Sequence, residues 1–131
     1  MSTKIACRVW SFVVEKPRVV DGKVQADYGF ALKMPQGARI TRVGAMAGGT
    51  KLFAVVNPAM QEEERYFWVA STNSDLPSPE ELEAKFSEAN RRLVVTGLEP
   101  LGTWLEIKGT VAKHLFEITA KPASPRDPGE D

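Results

Sequence analysis

One histidine, His114, and one cysteine, Cys7, are all that this chain of 131 residues has of the two side chains most used in catalysis. A lone cysteine closes no intrachain disulfide, so the fold must hold without a staple. CxxC, HExxH and paired-histidine spacings are missing, which leaves no expected metal site and no metal among its cofactors. The sequence also lacks a Walker loop for a nucleoside triphosphate and a G-x-S-x-G nucleophile elbow. Charge of either sign is not in excess: Lys plus Arg number 17, as do Asp plus Glu, so the general attraction of a basic protein for DNA or an acidic membrane is removed and only a local basic patch remains available. No run approaches the ~20 apolar residues of a membrane-spanning helix, and the first residues lack the ~7–15-residue apolar core of a secretory signal, so the expected location is the cytoplasm.

What is present is strand and turn. Residues 34–58 read MPQGARITRVGAMAGGTKLFAVVNP, with Pro35 and Gly37 suited to a turn, Gly48-Gly49 suited to a two-residue hairpin loop, and Asn57-Pro58 as a strand stop. A β-hairpin over residues 38–56 follows. Upstream, Ile5 to Val14 is apolar on both alternating faces, with Cys7, Val9 and Val13 on one and Trp10, Phe12 and Val14 on the other, which predicts an interior strand and a small core role for Cys7. Residues 15–27, with Pro17, Asp21, Gly22 and Asp27, read as an exposed loop before a strand at Tyr28 to Lys33. Tyr66, Phe67, Trp68 and Val69 make Glu64 to Ala70 a strand, and Glu62, Glu63 and Glu64 before them read as a solvated face, since neighbouring strand residues point apart.

The pattern changes at Ser78-Pro79-Glu80-Glu81, a capping box with proline at the first helical position. The predicted helix covers residues 79–91, with Leu82, Phe86, Ala89 and Leu93 as an apolar stripe laid on a sheet and Arg91 and Arg92 at its negative end. Leu93 to Thr96 is a short strand, and Trp104 to Lys108 with Val111 to Ala120 form a second hairpin around Gly109-Thr110. Residues 1–120 are therefore expected to be a single β-rich domain, and residues 121–131, rich in proline and charge, a flexible tail. A chain of this length can bury roughly 65–70% of its unfolded surface, enough for one core. The fold class is α+β: a mainly antiparallel β-sandwich or open barrel of about seven or eight strands with one covering helix.

His114 shares alternation with Ala112, Phe116 and Ile118, which predicts the inward face of the last strand, either as a hydrogen-bonded core residue or lining a pocket. No nucleophile or orienting acid accompanies it, so no catalytic residue is assigned and the protein is not read as an enzyme. Arg39, Arg42, Lys51, Lys108 and Lys113 lie in or beside predicted strands, with Trp68, Trp104 and Tyr66 as flat rings. Guanidinium groups and aromatic rings together are what a nucleotide site needs, and the candidate ligand-binding set is Arg39, Arg42, Trp104 and His114.

The segments ALKMPQGARITRVG, KLFAVVNP, ERYFWVAST, LGTW and KHLFE, in this order over residues 28–118, resemble a small β-rich domain family encoded mainly by bacteriophages and prophages. The departure is the helix-bearing segment 74–97, where a shorter glycine-containing loop is the family's habit, and the resemblance transfers no catalytic residue. It implies a nonenzymatic accessory protein in the host bacterial cytoplasm, with an anti-defence role by sequestering a nucleotide signalling molecule. Direct inhibition of a host protein and OB-like binding of a single-stranded nucleic acid are the alternatives. Exposed sheet edges further predict a homodimer, and nothing points to a membrane.

Overall fold

Short polar turns between alternating apolar runs favour antiparallel strands, and the computed structural model, which describes residues 6–87, 93–106 and 111–122, shows nine strands and one helix among them. These are β1 (Arg8–Val13), β2 (Val19–Val20), β3 (Lys23–Val24), β4 (Tyr28–Pro35), β5 (Arg39–Met46), β6 (Gly49–Val56), β7 (Glu62–Ser71), α1 (Pro79–Phe86), β8 (Leu93–Glu106) and β9 (Val111–Pro122). One sheet has the order β1-β6-β5 and a second the order β4-β7-β9-β8, all pairs antiparallel, while β2 and β3 form a separate two-stranded hairpin. The protein is an α+β, β-rich fold in which the two larger sheets face each other.

The core between the sheets is built from one face of each. Leu52, Ala54 and Val56 of β6 and Val43 of β5 meet Phe30 and Met34 of β4, Phe67 and Val69 of β7, Leu115 of β9 and Trp104 of β8. Phe30 and Phe67 stack at 5.3 Å between ring centroids. β5 also packs against β8, and there Gly102 matters, because a Cβ at that position would run into Val43 Cγ1. Only glycine lets the two sheets approach this closely at the seam.

The helix covers the other side of the second sheet. Its capping box forms as the sequence predicts, with Glu81 N donating to Ser78 Oγ and Ser78 N to Glu81 Oε1, each at 3.2 Å. Leu82, buried to 1% exposure, and Phe86 pack on Tyr66, Leu93, Val95 and Ile118. Gly29 makes room for this layer: a Cβ there would lie 2.6 Å from Phe86 Cζ. Glu83 Oε2 accepts a hydrogen bond from Val95 N at 2.9 Å and fixes the helix to β8.

Several expectations change. β1 is an edge strand, and Cys7 before it is exposed instead of sitting in the core. Val9 and Val13 are 66% and 57% exposed, because among the described residues no layer covers the outer face of the first sheet. Two apolar faces on one strand predict burial on both sides, whereas one of them is open among the described residues. The 15–27 stretch contains the β2–β3 hairpin, turned through Asp21 and Gly22 at φ of 52° and 76°. The helix ends at Phe86, Leu93 belongs to β8, and Ala89, Arg91 and Arg92 lie outside the described residues. β8 is one strand of 14 residues with two register shifts, where the sequence predicts two short strands. β9 runs to Pro122; residues 123–131, and Lys108 with the Gly109-Thr110 turn, lie outside the described residues.

Candidate functional site

Residues directly paired in an antiparallel ladder share a face, so the register of the first sheet assigns its outer surface. Val9 pairs with Val55, Ser11 with Phe53 and Val13 with Lys51 across β1 and β6. Arg39 pairs with Val55 and Arg42 with Phe53 across β5 and β6. Since Leu52, Ala54 and Val56 fill the core, this second set of β6 residues and all their partners point outward. Plain alternation would separate residues 39 and 42, three apart, onto opposite faces. The register shift between Ile40 and Arg42 inserts Thr41 as an extra residue and restores both arginines to one side. Thr41 Oγ1 donates to Phe53 O at 3.3 Å across the bulge.

The result is a flat face with an apolar strip, Val9, Val13, Phe53 and Val55, beside three cations, Arg39, Arg42 and Lys51. Neither arginine nor the lysine forms an ion pair among the described residues, and the three strands place no carboxylate on this face. The Arg42 side chain runs along Gly44, its Nε 3.9 Å from where a Cβ would stand there, so the absent side chain leaves the guanidinium room on the sheet.

The other candidate residues lie elsewhere. Trp104 is in the core at 4% exposure, its Nε1 donating to Glu106 Oε1 at 3.0 Å. Lys113 is buried opposite it in the β8–β9 ladder, with Nζ donating to Ala26 O at 2.8 Å and Ser71 Oγ at 2.7 Å, so its ammonium is spent on the fold. His114 occupies the outer face of the second sheet, with Thr72 Oγ1 2.8 Å from Nε2 and Thr103 Oγ1 2.8 Å from Nδ1. The expectation that His114, Phe116 and Ile118 mark the inward face of β9 is therefore reversed: Lys113, Leu115 and Glu117 point between the sheets. That face reads as polar only because its charges have distant partners. Arg65 donates from Nε and Nη2 to the two Glu117 oxygens at 2.6 and 2.7 Å, and from Nη1 to Ala38 O.

Tyr66 and Trp68 are under or beside α1 on the same outer face as His114, with Lys85 Nζ 6.0 Å from the Trp68 ring centre. The fold thus brings Arg39, Arg42 and Lys51 together and keeps them apart from Trp104 and His114. Phe53, Val9 and Val13 join them, and these went unread as site residues because apolar residues on a strand are ordinarily core. Among the described residues no three His, Cys, Asp or Glu side chains converge as a metal site, and no helix is long and apolar enough to cross a membrane.

No curated protein and no solved structure matches the chain. A family model does match, from residue 18 to residue 125, a span that begins after β1 and takes in every other element. The cations of β5 and β6 lie within it, while Val9 and Val13 lie before it. With most of its length matched, the chain belongs to the family described as a domain of unknown function, DUF7352.

Proposed function

We propose that the protein is a nonenzymatic binding module that docks a partner protein on the open outer face of its first sheet, through Arg39, Arg42 and Lys51 around Phe53 and the exposed valines of β1. The observation carrying this is the juxtaposition itself: an apolar strip left open by the described residues, flanked by three cations on strands that place no carboxylate on that face. Its complement is a surface with an apolar centre and an acidic rim, which the cations steer and the strip anchors. The resemblance to phage and prophage domains supports a host bacterial protein as partner and a stoichiometric inhibitory role.

Sequestration of a signalling nucleotide draws less support. It calls on Trp104 or His114 to recognise the base, and the first is buried in the core while the second faces away on the other sheet. Phe53 is the one aromatic ring on the open face among the described residues, where stacking platforms use several.

A photocrosslinking residue at Thr41, beside the cations, tests the reading in bacterial cells, with the same residue at Glu80 on the exposed side of α1 as control. The expected outcome is one crosslinked protein from Thr41, none from Glu80, and loss of the product in the Arg39→Glu, Arg42→Glu double variant. Nucleotide or nucleic-acid adducts at Thr41 would transfer the assignment to those ligands, and no specific adduct in the folded protein would remove the site.

A further inference from the structure

Where β1 ends, the molecule holds a cavity of about 420 Å³, within the range of small-molecule sites. The chain is fixed around it: Val14 N donates to Thr50 O at 3.0 Å, and Tyr28 Oη donates to Glu15 O at 2.7 Å. Gly48, in the Ala47-Gly48 turn, and Gly49, the first residue of β6, form another wall and put no side chain into the space, since a Cβ at either glycine would meet nothing within 4 Å. Val13 and Val24 line the cavity while staying 57% and 64% exposed, an apolar lining that no other described residue covers fully.

The polar groups at this lining are unevenly signed. Glu15 and Glu106 are both part of it, with Lys16 as the one cation of the lining among the described residues. Glu106 is held in place by the Trp104 indole N–H, which donates to its Oε1 at 3.0 Å. Glu15 makes an exposed contact to Arg18 at 3.4 Å, a pairing that water weakens. The Tyr28 phenol responds to the same environment: burial, then the charges of Glu106 and Glu15, push it from 10.0 to about 12.

We propose that this cavity is a second binding site, adjoining the protein-docking face and sharing Val13 with it, for a small organic cation with an apolar body: a primary ammonium carried on an aryl or branched alkyl group. The body lies against Val13, Val24 and the Tyr28 ring, and the ammonium is directed to Glu106 and Glu15. Neutral and anionic analogues of the same shape lose the charge-assisted bonds and are disfavoured by the carboxylates.

Phenethylammonium is the probe, and hydrocinnamate its anionic counterpart of similar size. Heteronuclear NMR of the full chain follows the Trp104 indole N–H, which reports on Glu106 directly, and calorimetry gives the affinity. The expected result is saturable binding in the millimolar range or tighter for the amine, a shift of the Trp104 signal, and no binding of hydrocinnamate. Glu106→Gln, which keeps an acceptor for Trp104, should weaken the amine roughly tenfold, and Gly48→Phe, placed in open space, should abolish binding with the melting temperature retained. Equal affinity for the two probes, an unmoved Trp104 signal up to the solubility limit, or unchanged affinity in both variants would overturn the site.

Discussion

Arg65 and Glu117 sit 52 positions apart and meet with side chains only 17% and 14% exposed, so each has surrendered most of its hydration to the other. Removing one partner strands the second: Arg65→Ala should destabilise the protein by about 3–5 kcal/mol in urea unfolding, whereas an Arg65→Met, Glu117→Leu double variant should recover most of that loss. A double variant as unstable as the single one would show that the Arg65 bond to Ala38 O, not the ion pair, carries the energy. Tyr28 supplies a pH dependence. Its phenol ionises near 10.0 when unfolded and is pushed to about 12 in the fold by burial, with Glu106 and Glu15 adding to it. Both states are neutral below about pH 10, and stability then falls from about pH 10 to about 12 as the unfolded chain alone releases its proton. Melting temperatures across that window should drop less steeply for Tyr28→Phe than for the parent, although the variant starts lower for want of the bond to Glu15 O. These contacts were illegible in the sequence because nothing local announces a buried charge: Arg65, Lys113 and Glu117 look solvated until the strands carrying their partners are placed.

Elements whose signals are local were legible. The glycines at 48 and 49 and the alternation around them place the β5–β6 hairpin without help from the rest of the chain, although its two-residue loop is Ala47-Gly48 and Gly49 already pairs with Met46, and Ser78-Pro79-Glu80-Glu81 defines the start of α1. The cap is testable on its own: Ser78→Ala should cost about 1 kcal/mol, measured by denaturant unfolding. Leu82→Ala, which empties a fully covered position under the same helix, should cost about 2–5 kcal/mol. A larger loss for the cap than for Leu82 would mean that α1 depends on its start more than on its packing. What failed at this scale is set by partners. The bulge at Thr41 exists only relative to β6, so the sequence offers Arg39 and Arg42 as neighbours without saying that they share a face. The separation of Trp104 and His114 from them likewise follows from strand order, since β8 and β9 join the sheet that lacks β5.

At the scale of the whole molecule the two edges of the first sheet differ. β5 packs against β8, whereas the outer edge of β1 has no strand beside it among the described residues. An unpaired six-residue edge with exposed valines is a template for another strand. The homodimer proposed from the sequence finds its simplest route here, by antiparallel pairing of β1 with the β1 of a second copy. A twofold axis perpendicular to the sheet then joins two three-stranded sheets into one of six and keeps both open faces on the same side. Two sets of Arg39, Arg42 and Lys51 would flank a central apolar strip made of Val9 and Val13 from both copies, a wider version of the same docking surface. Light scattering should then give twice the 14.4 kDa chain mass. Ser11→Lys, near the middle of β1 and exposed, sets two like charges close to the axis without touching the core, and should shift the protein to monomer at unchanged melting temperature of the dissociated chain. A parent protein that stays monomeric at high concentration, or a dimer indifferent to Ser11→Lys, would leave the β1 edge unpaired and confine docking to the face of a single copy.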